Sequence, residues 1–210
     1  MKRIPAPAYD TNVKIPVILA SASPRRAQLL RMIGFEPLIL IPEIKEDRLP
    51  GEDIPDFLER ICLAKAFAVY SKSHFNHLLV AADTVVQCRD RLLGKPADRE
   101  EARTMLECLS GCRHEVFTGL ALLYKGRTSF ATCRTGVCFK KLLPREIEFY
   151  LDRNEHLDKA GAYAIQGTAA VFVESIEGCY FNVMGLPLNL FYTQLSNMGL
   201  PLCSIETEDD

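Results

Sequence analysis

In the stretch VILASASPRRAQLLRMIG, Val17 to Gly34, an apolar run breaks into two serines, a proline and the adjacent arginines Arg25 and Arg26 before helical residues resume. A strand ending in a loop that feeds a helix N-terminus presents unbonded backbone N–H groups and the positive end of the helix dipole. That arrangement holds phosphate or carboxylate. Arginines in a first turn oppose the dipole unless an anion sits there. With an anion they add charge-assisted, often bidentate, hydrogen bonds to phosphate oxygens. On this segment alone, solvated surface arginines are an equal alternative.

Asp83 interrupts the apolar run LLVAADTVV. A carboxylate inside a buried strand is costly unless it is paired, hydrogen-bonded or bound to metal. Its plainer reading is a strand end that caps a turn with Thr84; the functional reading is favoured because sites gather at strand ends. Lys65 lies beside an apolar helical stripe, where a lysine either snorkels outward or is recruited inward. Lys95, in GKPADREE, stands just before a proline that opens a helix, again near an N-terminus suited to phosphate. Glu46 follows the second strand in a polar loop. It reads either as surface charge or as a ligand sharing a divalent cation with Asp83, since Mg2+ is held by one or two carboxylates plus phosphates and water.

The elements that must position these groups follow from periodicity and punctuation. PVILA is a short buried strand, and SPRRAQLLRMIG a helix with Ser23 as N-cap, Pro24 at the first position and Gly34 as terminator. FEPLILI supplies a second strand. DIPDFLERICLAKAFAVYSK is a helix whose apolar stripe is Phe57, Leu58, Ile61, Ala64 and Ala68. HLLVAADTVVQC is a strand, followed by a short return strand in RDRLLGKP. The helix DREEARTMLECLSG has Asp98 and Glu101 in capping-box spacing and ends at Gly111. EVFTGLALLYKG and TSFATCRTGVCFKKL form a hairpin around Lys125-Gly126. A helix over PREIEFYLDR, the loop DKAGAYAIQG, a strand AAVFVESIEG and a final helix from Leu186-Pro187 complete the chain. Helices alternating with strands, together with a hairpin, predict an α/β fold with a mixed β-sheet flanked by helices.

Composition bounds the function. The chain has 210 residues, 48% of them hydrophobic, which suits one sizeable globular domain over about residues 17–200, with an arm at 1–16 and an acidic tail at 201–210. Lys and Arg number 25 against 27 Asp and Glu, a net charge of -2 that argues against a partner such as nucleic acid or an anionic membrane. An RNA-binding module would want a basic face with interleaved aromatics, and there is no tryptophan. No stretch reaches the roughly 18 apolar residues of a spanning helix, and prolines stand where a signal peptide would have its apolar core. The chain is therefore expected to be cytoplasmic. Eight irregularly spaced cysteines lack a C-x-x-C pair and read as reduced thiols; the four histidines form no zinc pattern.

Taken in order, LASASPRRAQLL, Glu46, Lys65, AADTVV, GKPADREEARTML, LSGCRHEVFTGLAL, LDKAGAYAIQG and FNVMGLPL resemble the Maf family of nucleotide pyrophosphatases from about Val17 to about Leu190. The resemblance implies an elongated, two-lobed fold like that of inosine-triphosphate pyrophosphatases, with a central cleft. It also implies hydrolysis of a nucleoside triphosphate to the monophosphate and pyrophosphate with a divalent cation, Mg2+, Mn2+ or Co2+. The family's site residues carry over onto Ser21, Arg25, Arg26, Glu46, Lys65, Asp83, Lys95 and Gln166, with Asp83 the proton acceptor. Arg25, Thr84 and Gln166 match the branch resembling dTTP/UTP pyrophosphatases, and an amide such as Gln166 can offer both a donor and an acceptor to a uracil-type edge. The backbone amides near Ser23 are expected to add donors to the substrate. A homodimer is compatible with the sequence. The alternative from another class is a nucleotide-sensing regulator of cell division that does not hydrolyse its ligand.

Overall fold

Strand β1 (Val17–Leu19) is fully buried and leads through a loop into helix α1 (Pro24–Met32). Two-residue strand β2 (Leu38–Ile39), helix α2 (Ile54–Tyr70), strand β3 (Leu78–Cys88), return strand β4 (Arg91–Leu93) and helix α3 (Arg99–Leu109) follow. The hairpin strands β5 (Arg113–Tyr124) and β6 (Arg127–Phe139) then lead to helix α4 (Pro144–Leu151), strand β7 (Val173–Glu177) and helices α5 (Tyr180–Val183) and α6 (Leu188–Asn197). The structure is a computed structural model that describes residues 15–70 and 75–200. The outer arm, the acidic tail, Cys203 and His74 lie outside the described residues. The arm's last two residues belong to the fold: Ile15 is buried, and the Pro16 carbonyl accepts a bond from the Leu78 amide at 2.9 Å.

Among the described residues the sheet has seven strands in the order β2-β1-β3-β5-β6-β7, with β4 paired to β3. Pairings of β1 with β2 and with β3 are parallel and the rest are antiparallel, so the sheet is mixed as expected. Alternation along β3 feeds two cores on opposite faces. Val80, Ala82 and Val86 join the larger core, which takes side chains from α1, α3, α4 and α6, whereas Leu79 and Ala81 pack against α2.

One feature of register creates the site. β5 lines one edge of β3 from Leu79 to Gln87. The other edge is shared between two partners: β1 pairs with Leu78–Val80 and β4 with Val86–Cys88. Between them, residues 81–85 have no strand on that side among the described residues, and the chain leaving β1 turns away into the loop before α1. Asp83 and Thr84 stand in this gap.

Three local expectations need correction. Asp98 caps α3 by accepting the Glu101 amide at 2.8 Å, but the Glu101 carboxylate returns to the Ala97 amide, one residue earlier than a capping box requires. The α2 stripe runs through Phe57, Leu58, Ile61, Cys62, Lys65, Ala66 and Val69, while Ala64 and Ala68 are half-buried, because the helix faces two sub-cores at once. The strand expected over residues 169–178 starts only at Val173. A 3-10 turn, Thr168–Phe172, precedes it and drives Phe172 into edge contacts with Phe139 and Tyr150.

Candidate active site

The gap in β3 opens into a cleft of about 330 Å3, within the roughly 300–1,000 Å3 range of small-molecule sites. Ser21, Ser23, Arg25, Arg26, Glu46, Lys65, Asp83, Thr84 and Lys95 all line it. Nine of the ten residues singled out in the sequence thus converge from five segments on one cavity.

Gln166 does not join them. It is exposed and absent from the cleft lining. Its neighbour Ile165 is buried in the core, and Thr168 is drawn away by Glu155, whose carboxylate accepts both the Thr168 amide at 2.8 Å and its hydroxyl at 2.7 Å. The backbone here turns the amide side chain towards solvent.

On one side of the cleft Lys65 holds two acids together. Its ammonium lies 2.7 Å from Asp83 Oδ1 and 3.0 Å from Glu46 Oε1. The Lys65 side chain is only 6% exposed, so it does not snorkel; burial of an ammonium requires such partners. Gly119 makes the approach possible. It stands directly across from Asp83 in β5, and a Cβ there would come within 2.9 Å of Leu58 Cβ and 3.1 Å of Cys62 Sγ on α2. Directly beneath, burial and then the negative charge of Asp83 push the Cys62 thiol up to about 12. This cysteine stays protonated and unreactive.

At the α1 end Arg26 is buried and has no carboxylate partner among the described residues. Its Nε donates to the Gly185 carbonyl at 2.9 Å, one terminal nitrogen to Ser21 Oγ at 3.0 Å, and the other to Thr84 Oγ1 at 3.1 Å. A hydroxyl relay continues inward: Thr118 Oγ1 lies 2.9 Å from Thr84 Oγ1 and donates to the Asn182 carbonyl at 3.1 Å. Because Thr118 spends its hydrogen on that carbonyl, Thr84 donates to Thr118 and is left as the acceptor for Arg26. Asn182 Nδ2 in turn binds the Val116 carbonyl and Thr135 Oγ1, both at 2.9 Å. Three neutral acceptors orient the guanidinium and leave its charge uncancelled.

Ser23 occupies the N-cap of α1 but makes no side-chain cap bond, and the first turn contains no acid. Its amide donates instead to Ser21 Oγ at 3.1 Å. Pro24 has no N–H, so the donors that this uncapped N-terminus can offer the cleft are the Arg25 and Arg26 amides. Arg25 is half-buried with its Nε unpartnered, and burial followed by the charge of Arg26 holds its guanidinium below the usual value. Lys95 is exposed at the rim.

Sequence reasoning missed Thr118, Asn182, Gly185, Asp158, Lys159 and Tyr163. Asn182 carried a readable signal, a polar residue amid the apolar letters of FNVMGLPL; Thr118 and Gly185 carried none without the sheet register. The two carboxylates Glu46 and Asp83 form the only acidic pair on Lys65, and among the described residues no group of three or more His, Cys, Asp or Glu is placed to hold a metal. This donor set suits a hard cation that completes its shell with phosphate oxygens and water, and does not suit a structural zinc site.

Comparison with known proteins agrees with the arrangement of motifs. A family model described as Maf-like protein matches residues 16–198. The chain is 43% identical over 192 residues to a dTTP/UTP pyrophosphatase of Clostridium botulinum, covering 89% of this chain and 98% of that protein. It is 42% identical over 186 residues to a dTTP/UTP pyrophosphatase of Symbiobacterium thermophilum, covering 89% and 95%. The solved structure of the Staphylococcus aureus Ham1 protein shares 13% identity at a TM-score of 0.47, covering 87% of this chain and 99% of that one.

Proposed function

This chain belongs to the Maf family, and on that premise we propose that it is a nucleoside triphosphate pyrophosphatase, hydrolysing dTTP- and UTP-type pyrimidine nucleotides, modified ones included, to the monophosphate and pyrophosphate. The observation that carries the reading is one cleft in which a Lys65-bridged pair of acids, Asp83 and Glu46, faces Arg25, Arg26 and Lys95. The choice of base follows the names of the relatives.

Arg26, the α1 N-terminus and the rim cations neutralise the polyphosphate and set the α-phosphorus beside Asp83. Lys65 takes one oxygen of Asp83 and leaves the other for a water molecule. That oxygen accepts a proton as the water oxygen bonds to the α-phosphorus. The bond from the α-phosphorus to the bridging oxygen breaks, and pyrophosphate departs with its electron pair. A divalent cation held by Glu46, Asp83 and phosphate oxygens would supply further neutralisation and polarise the phosphoryl group.

The test is a panel of natural and modified triphosphates with Mg2+, Mn2+, Co2+ or a chelator, measuring pyrophosphate against orthophosphate. Pyrimidine triphosphates should release pyrophosphate only with metal present. Asp83→Asn keeps the contact to Lys65 and should lower turnover by about 10^2–10^4-fold. Release of orthophosphate, or wild-type turnover in Asp83→Asn, would overturn the assignment. Tight binding of the nucleotide with no hydrolysis at all would favour the sensing alternative.

A further inference from the structure

One part of the cleft wall is not used by the proposed chemistry. Asp158, Lys159, Ala160 and Tyr163 line it, beside Arg25 and Lys95. Lys159 is half-buried, and its ammonium donates to the Leu157 carbonyl at 3.0 Å. Among the described residues neither Arg25, Lys95 nor Lys159 forms an ion pair. Burial and then the charge of Arg25 lower the proton affinity of Lys159; Asp158 beside it and Glu155 pull the other way, and Lys95 adds to the lowering. The Glu155 carboxylate is occupied by Thr168.

The backbone holds this wall in place at a cost. Asp158, Gly161 and Ala162 have φ of 58°, 70° and 59°, and left-handed conformations at residues with a side chain are strained and cluster at functional sites. The Gly161 amide donates to the Gly94 carbonyl at 3.0 Å, which ties the Lys159 loop to the turn that carries Lys95. Three cations are thus kept together against mutual repulsion, and an ordinary surface would let them part.

We propose that Lys159 binds substrate and, with Arg25 and Lys95, forms a three-cation subsite for the pyrophosphate end of the nucleotide. The inference rests on the pyrophosphatase reading and assigns the two ends of its substrate. With the reacting phosphorus beside Asp83, the remaining phosphates and the nucleoside run in opposite directions. The β- and γ-phosphates carry the denser charge, and a wall in which three cations outnumber one exposed carboxylate, Asp158, selects them. The same cations stabilise the charge that develops on the leaving pyrophosphate.

Calorimetric titration of the full chain with inorganic pyrophosphate and with dTMP tests this directly. Lys159→Gln should weaken pyrophosphate binding by about tenfold or more, leave dTMP within about twofold, and raise the KM for dTTP; Lys159→Arg should recover most of the loss. Unchanged pyrophosphate affinity in folded Lys159→Gln, or an equal loss for dTMP, overturns the proposal. Should the variant fail to fold, lysine methylation of the wild-type chain read by mass spectrometry decides instead. Pyrophosphate should shield Lys159 and Lys95 where dTMP does not, and no shielding of Lys159 overturns the subsite. A wild-type chain that binds pyrophosphate through Lys159 but leaves dTTP intact would sink the hydrolase reading and spare the subsite. Hydrolysis of dTTP with Lys159-independent pyrophosphate binding would do the reverse.

Discussion

Arg26 and Lys65 are both buried cations, and their surroundings divide the labour between them. Lys65 has its charge matched by Asp83 and Glu46, so it orients acids. Arg26 is held by a carbonyl and two hydroxyls, none of which carries a formal charge, so its field remains available to an incoming phosphate. Arg26→Ala should raise the KM for dTTP and lower kcat, each by about tenfold or more, because the contact serves both the ground state and the charge that develops during transfer. Steady-state kinetics check this, and unchanged constants would return Arg26 to a purely structural post between Gly185 and Thr84.

At the scale of elements, the site depends on how closely α2 approaches the sheet. Gly119 lets the helix sit against β5 directly behind Asp83, with Leu58 and Cys62 where a side chain would otherwise project. Gly119→Ala overpacks this contact and should cost about 1–3 kcal/mol in a urea titration. It should also reduce turnover beyond what the stability loss explains, since displacing α2 withdraws Lys65 from Asp83. Loss of stability with wild-type turnover would show that the site tolerates movement of the helix.

Over the whole molecule, pH should reveal a buried histidine that stands behind the cleft wall, bonded to Tyr163 of its lining. His114 is 1% exposed, bonds Tyr163 at 2.9 Å, stacks edge-on with Phe139, and is pushed down by burial to about 4. The folded state therefore refuses a proton that the unfolded chain accepts at about 6.5, so stability falls as pH drops from about 6.5 to about 4 and flattens below that. The contribution is about 3 kcal/mol at most. Urea midpoints taken near pH 7 and near pH 5 should differ more in the wild type than in His114→Gln, where His156, buried and also lowered by burial, leaves a smaller difference; an equal difference in both would place the titration elsewhere.

Much of this was legible in the letters. Period-two runs marked the strands, Pro24, Asp98 and Gly111 marked helix ends, and Lys125-Gly126 marked the hairpin, because each is a local matter of dihedral preference and of which face meets the core. Charge placed against a helix dipole likewise pointed to an anion site, and an acid in an apolar strand to a functional carboxylate. The tertiary structure alone decided which distant groups meet. Arg26 reaches a carbonyl 159 residues away, and Lys65 on α2 meets Asp83 over the sheet face, beside the stretch of edge that two short strands leave open between them. It also turned Gln166 out to solvent and brought Lys159 in, because backbone turns set by remote packing, and no property of either residue type, determine where those side chains point.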